Sequence, residues 1–160
     1  MDEDQHIPIE EMDLFRRYVE IADWAWDVVS TWPPLAVDTV GKQLVRALDR
    51  VGATLVEGDG RYGSADAIHF FVMGRASARE ARYWIQRAIF RDLISTEDGG
   101  ARVTALTEAT RMLNGLIRYR RAHTRPGVVR ERQSYYLVEV EDPFTVDLDT
   151  DGFEGVFPNT

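Results

Sequence analysis

The sequence predicts an all-α protein: an antiparallel up-down-up-down four-helix bundle with a short extended C-terminal tail. Three observations predict it. Apolar residues recur three and four apart through four segments of about 20 to 28 residues, each about 30 to 42 Å long as a helix. The breaks between them are short and built from proline and glycine, which favours antiparallel neighbours. A chain of 160 residues, 44% apolar and without cysteine, is of the size for one core held by burial alone. The bundle is expected over residues 1–122, with an acidic, partly extended tail over 123–160.

The first helix is expected over about 12–32. Leu14, Tyr18, Ile21, Ala25, Val28 and Trp32 form one stripe, and Phe15, Val19, Ala22, Trp26 and Val29 form a second beside it. Arg16, Glu20, Asp23, Asp27 and Ser30 make the wet side, so the apolar arc covers about half the cylinder, wider than the roughly 100° one contact face needs. Pro33-Pro34 ends this helix by removing backbone donors and restricting Trp32. The second helix, about 35–57, carries Val37, Val40, Leu44, Ala47, Leu48, Val51 and Leu55 on one face. Gly58-Asp59-Gly60 closes it with residues that tolerate left-handed geometry. Gly52, inside this helix, costs about 1 kcal/mol against alanine and predicts tight packing there.

The third helix, about 65–91 with Ser64 as N-cap, has no single wet face. Phe70, Phe71, Ala78, Ala81, Ile85 and Ile89 occupy one side, and Ile68, Val72, Ala76, Tyr83 and Phe90 another. Arg75, Arg79 and Arg82 run along the strip between them, the pattern of a helix buried on two sides. Gly99-Gly100 is read as the next turn, and the fourth helix follows over about 102–122 with Val103, Leu106, Thr110, Leu113 and Ile117 inward. After His123 the pattern changes. Tyr135 to Val140 is expected to be a short extended segment that docks on a bundle.

The formal net charge of −8 is unevenly spread. Residues 1–35 carry nine acids and two arginines, residues 36–122 fourteen bases and ten acids, and residues 123–160 eight acids and three arginines. The basic middle is almost all arginine, the residue suited to forked contacts with carboxylate or phosphate. The acidic N-terminus and the lack of a long apolar run argue against a signal peptide or membrane span, so a cytoplasmic location is expected, with no membrane partner.

Several stretches carry a resemblance. Gln43-Leu44, Arg46-Ala47, Glu57-Gly58-Asp59-Gly60-Arg61, Arg75-Ala76-Ser77 with Glu80, and Arg111 to Ile117 occur in order. Together they resemble the bacterial four-helix bundle proteins encoded in intervening sequences of 23S ribosomal RNA genes. More distantly the chain resembles the accessory proteins of diversity-generating retroelements. Thr54 stands where that family usually has asparagine, Gly74 where it has alanine and Ala76 where it has glycine. The resemblance implies a bundle that assembles into a ring, typically a pentamer, with no established enzymatic activity.

Chemistry finds little purchase in the sequence. Glu57 lies at a helix C-terminus, where the macrodipole disfavours a carboxylate, and a pair with Arg61 or Arg75 is expected to offset this. Gly58-x-Gly60 follows a helix and lacks the P-loop lysine. His6, His69 and His123 show no metal-ligand spacing, so neither a metal nor a cofactor is expected. No nucleophile elbow or triad frame occurs, so the chain is not expected to be an enzyme. Trp24, Trp26, Trp32 and Trp84 are expected to pack.

Three residue sets follow. A structural motif comprises Gln43, Glu57, Gly58, Gly60, Arg61, Arg75, Ser77 and Glu80; an oligomer interface comprises Phe15, Val19, Trp26, Ile68, Val72 and Tyr83. Arg75, Arg79, Arg82, Arg118, Arg120 and Arg121 form a polyanion surface. The leading expectation is a homo-oligomeric scaffold presenting a ring surface to a protein or nucleic-acid partner. The alternative is an RNA- or DNA-binding accessory protein working through the arginines.

Overall fold

The computed structural model describes residues 7–61 and 63–124, which fall within one compact unit, Met1–Arg125. The tail, with its expected extended segment at Tyr135–Val140, lies outside the described residues, as does His6. The described residues form helices joined by turns, with no strand among them. A 3-10 turn, Ile9–Glu11, leads into α1 (Asp13–Val29). A helical turn, Pro34–Ala36, and a π-type turn, Val37–Gly41, run into α2 (Lys42–Asp59); α3 spans Ser64–Phe90 and α4 Thr96–Ala122. The broadest contact is α2 on α3, followed by α3 on α4, then α1 on α2 and on α4. Among the described residues no helix is long and apolar enough to cross a membrane.

The predicted stripes largely form the core. Leu14, Tyr18, Ile21 and Ala25 of α1 are buried against Leu44, Leu48, Val51 and Leu55 of α2 and against Phe71, Ile85, Leu106, Leu113 and Ile117. On α1 the stripe closes with Val29 and not Val28, which is half-buried. Pro34 occupies the first helical position after the break, where its missing N–H has no partner to lose. The π-type turn has no sequence signal. Gly41 at its end sits so close to α1 that a Cβ would lie 2.6 Å from Val29 Cγ1.

Four local expectations are corrected. The fourth helix begins at Thr96, because Ser95 caps it by accepting from the Asp98 N–H at 3.1 Å and Glu97 and Asp98 supply acids to its first turn. Gly99 and Gly100 therefore lie inside α4. A Cβ on Gly99 would be 2.5 Å from Ile89 Cγ1, so this glycine permits close approach and makes no turn. The turn comes earlier, where Asp92 takes φ 55° and the Asp92 and Leu93 N–H groups donate to the Ile89 and Ala88 carbonyls, both at 3.0 Å. That is a Schellman closure with aspartate in the left-handed position.

The second correction concerns Gly58 and Gly60. Gly60 caps α2 with φ −73°, a right-handed conformation, and Gly58 is a buried residue of α2. A Cβ on Gly58 would meet Phe71 Cε1 at 2.8 Å and Phe70 Cβ at 2.9 Å. Contact, not left-handed geometry, explains it. Third, Gly52 is not tightly packed: the nearest atom to an added Cβ is Phe15 Cε2 at 3.8 Å, an ordinary van der Waals distance. Fourth, Ser64 is the first helical residue of α3, the cap being Gly63 with no side-chain bond.

Candidate interaction surfaces

The predicted motif divides among three places. At the end of α2, Arg61 donates to the Glu57 carboxylate one turn back, and its guanidinium stacks 4.6 Å from the Phe70 ring centroid. Arg61 is thus the partner Glu57 takes, fastening α2 to the start of α3, while both side chains stay about half exposed. Deeper in, Gly58 and Ser77 are buried; Ser77 Oγ donates to the Met73 carbonyl at 3.2 Å. Arg75 instead reaches α4, where its Nη1 donates to Asn114 Oδ1 at 3.2 Å. Gln43 is half-buried on α2, and Glu80 is exposed, accepting from Trp84 Nε1 at 3.4 Å.

Sequence reasoning missed the residues that complete this region. Thr54 is buried, its hydroxyl donating to the Arg50 and Val51 carbonyls at 2.8 and 3.0 Å. A Cβ on Gly74 would fall 2.8 Å from that hydroxyl, so two of the three departures from the family pattern face each other. Asp59 lies between two glycines and reads as turn filler. Its nearly buried carboxylate accepts from the Ile9 N–H at 3.0 Å and from Arg120 Nη2 at 3.2 Å. Partners 50 and 61 residues away leave no periodic trace in sequence.

The predicted interface set is graded in exposure. Phe15, Ile68 and Val72 are half-buried against the core, whereas Val19, Tyr83 and Trp26 are 38%, 52% and 68% exposed. Trp26 is the tryptophan that does not pack; Trp32 is buried, and Trp24 and Trp84 are half-buried. Positions 15, 19 and 26 share one stripe of α1, and 68, 72 and 83 share one of α3. The broad apolar arc of α1 is thus left open on its second stripe.

The arginines separate too. Arg79, Arg82, Arg118 and Arg121 are exposed, and the Arg75–Asn114 bond sets the stripe of α3 that bears Arg79 and Arg82 beside the stripe of α4 that bears Arg111 and Arg118. Arg120 points elsewhere, into its pair with Asp59. Glu20, Asp23 and Asp27 line the wet face of α1. The Asp49 carboxyl of α2 is raised from its ordinary pKa, partial desolvation disfavouring its charge and repulsion from Asp23 adding to it.

Glu57 and Glu80, the carboxylates weighed for acid/base chemistry, are solvent-exposed and engaged as described. Neither lines the apolar groove of about 410 Å³ that opens between the α1–α2 and α3–α4 turns. Among the described residues no group of three or more His, Cys, Asp or Glu is placed to hold a metal ion.

A family model for the 23S rRNA-intervening sequence protein matches residues 10–115. That span takes in α1, α2, α3 and most of α4, and stops before Arg118. Five solved chains are similar to this one. Among them is a crystal structure of a protein with unknown function from the S23 ribosomal protein family of Bacteroides thetaiotaomicron. It is 21% identical with a TM-score of 0.58, over 65% of this chain and 97% of that chain. At that identity the likeness carries the fold alone. No curated protein matches.

Proposed function

Because the chain belongs to the 23S rRNA-intervening sequence protein family, we propose that it is a non-enzymatic scaffold, a homo-oligomer of helical bundles whose ring presents a surface to a protein or nucleic-acid partner. The bundle runs up-down-up-down. Supporting this, Gly58 near the end of α2 meets Phe70 and Phe71 near the start of α3, while Thr54 meets Gly74 further along. Copies associate through the second stripes of α1 and α3. The observation that carries the proposal is Trp26, 68% exposed, with Tyr83 and Val19 exposed beside half-buried Phe15, Ile68 and Val72. Large aromatic side chains left in water on long helical faces mark an interaction surface.

Ring size follows from the family resemblance, which implies a pentamer. Light scattering on the full chain at micromolar concentration is the test. A mass of five times 18.3 kDa is expected, and Trp26→Glu combined with Tyr83→Glu lowers it to that of the separated bundle without loss of helicity. A wild-type monomer at that concentration overturns the proposal.

A second reading, RNA or DNA binding, is favoured by the exposed arginines along the α3–α4 seam. It predicts affinity that falls steeply with salt, and Arg79→Glu with Arg82→Glu weakens it uniformly across sequences. Absence of RNA and DNA binding at low salt removes this reading.

A further inference from the structure

The exposed apolar side chains on the long helices fall on two surfaces of opposite shape and charge. One is a trough between α1 and α2. Phe15 leans across to α2, 3.8 Å from where a Cβ on Gly52 would stand, and Val19 and Trp26 continue its stripe along α1. Val45 and Val56 share the Gly52 stripe of α2 and make the facing wall, Val45 half-buried and Val56 exposed. The other surface is a ridge. Val72, Ala76, Tyr83 and Phe90 lie along the side of α3 turned away from its buried residues Gly74, Ala78, Ala81 and Ile85, and Phe90 is 68% exposed.

The charges beside the two surfaces differ in sign. Asp23 on α1 and Asp49 on α2 are exposed at the rim of the trough, each within reach of the other's charge, and neither makes an ion pair among the described residues. On the ridge, Arg79 and Arg87 flank Tyr83 one turn to either side. Arg79 is exposed, and the Arg87 guanidinium stacks 4.9 Å from the Phe90 ring centroid.

We infer that the α3 ridge of one copy lies in the α1–α2 trough of the next, with Tyr83 and Phe90 against Phe15, Val19 and Trp26 and the ridge arginines facing Asp23 and Asp49. This rests on the oligomeric reading above and specifies its contact. α1 and α3 each pack chiefly on α2 and α4, so they stand at opposite corners of the bundle and one copy cannot bring its own ridge to its own trough. Trough on trough, or ridge on ridge, would set like charges against each other and be repelled. Ridge in trough instead matches a convex apolar surface to a concave one and arginine to aspartate. Such a contact is heterologous: each copy offers its ridge to one neighbour and its trough to the other, and the series closes into a ring without requiring an even number of copies.

Variants that each lack one surface test this pairing. Val19→Glu with Trp26→Glu removes the trough and keeps the ridge; Tyr83→Glu with Phe90→Glu does the reverse. In light scattering and native mass spectrometry each double variant alone is expected at the mass of one copy, with its helical circular dichroism kept. An equimolar mixture of the two is expected at the mass of two copies, because one intact ridge meets one intact trough and nothing remains to extend the chain of contacts. Asp23→Arg with Asp49→Arg is expected to raise the concentration needed for assembly about tenfold, and adding Arg79→Glu and Arg87→Glu to the same chain to restore it. Assembly of either single-surface variant by itself, a mixture that stays at one copy, or charge reversal without effect overturns the inference while an assembling wild type leaves the oligomeric reading standing. A wild type at the mass of one copy overturns both.

Discussion

Two seams of this bundle are built by opposite means. Where α2 meets α3, the helices approach through Gly58, Gly74, Thr54 and Ser77, and the space for a single methyl group is already taken at Gly58 and Gly74. Where α1 meets α4, large side chains span the gap and end in polar contacts. Tyr18 Oη and Thr110 Oγ1 lie 3.2 Å apart, Trp24 Nε1 donates to Asp98 at 3.1 Å, and Arg102 stacks 5.1 Å from the Trp24 ring centroid. Arg17 links Asp13 to Glu108 across the same seam at 2.8 and 3.4 Å. The α2–α3 seam is thus sensitive to volume, and the α1–α4 seam to the protonation and pairing of its polar ends.

Gly58→Ala gives the largest effect expected, a loss of about 3 kcal/mol by chemical denaturation, at the upper end of the cost of overpacking. Phe71 is fully buried and the Phe70 Cβ is tied to its backbone, so neither moves aside cheaply. Gly60→Ala, two residues on, where an added Cβ meets only the Val56 and Glu57 carbonyl oxygens at the ordinary distances of 3.6 and 3.7 Å, is the control and leaves stability nearly unchanged. A tolerated Gly58→Ala would break the distinction between the seams.

Next in size is an alkaline effect on the α1–α4 seam. Burial pushes the Tyr18 phenol from 10.0 up to about 12, against a smaller opposing effect of its Thr110 bond. From about pH 10 to pH 12 the unfolded chain releases this proton and the folded one does not, so stability falls as pH rises through that window. The loss is about 2.5 kcal/mol, and below pH 10 the group contributes no pH dependence. Tyr18→Phe is expected to cost about 1 kcal/mol at neutral pH, for the bond to Thr110, and to remove this part of the alkaline loss in pH-dependent denaturation curves.

Gly52→Ala sharpens the comparison from within α2. With only Phe15 Cε2 near an added Cβ, at the ordinary contact distance of 3.8 Å, the helix-propensity gain of alanine is expected to give about 1 kcal/mol of added stability, seen as a higher Tm. Smallest is Glu57→Gln: the pair with Arg61 is half exposed, and its removal is expected to cost under about 0.5 kcal/mol, screened further by salt.

These contrasts show where the sequence was legible. The stripes of α1 and α2 predict the buried residues almost one for one, because a helix facing one core repeats its apolar side chains at a period written in adjacent residues. Glycines were harder. Gly52, Gly58 and Gly99 look alike in sequence, yet one leaves Phe15 at an ordinary contact distance, one lies under Phe71 and one against Ile89. The start of α4 is set by the Ser95 cap and the first-turn acids Glu97 and Asp98, upstream of the double glycine that was read as the turn. Of the candidate surface residues, Trp26 and Tyr83 are where an oversized apolar arc predicts them, whereas Arg120 is drawn inward by an aspartate that no local spacing connects to it.

What the amino-acid sequence determined by itself is the set of four helices, the face each turns inward, and the surplus of apolar surface on α1 and α3, since all of these depend on residues within a turn or two of one another. Which glycine is a gap and which a contact, which arginine stays outside and how the Asp59 carboxylate ties Ile9 to Arg120 were decided by the tertiary structure. Each depends on the distance between helix axes, and that distance is set by pairs of side chains far apart along the chain that meet only when the bundle closes.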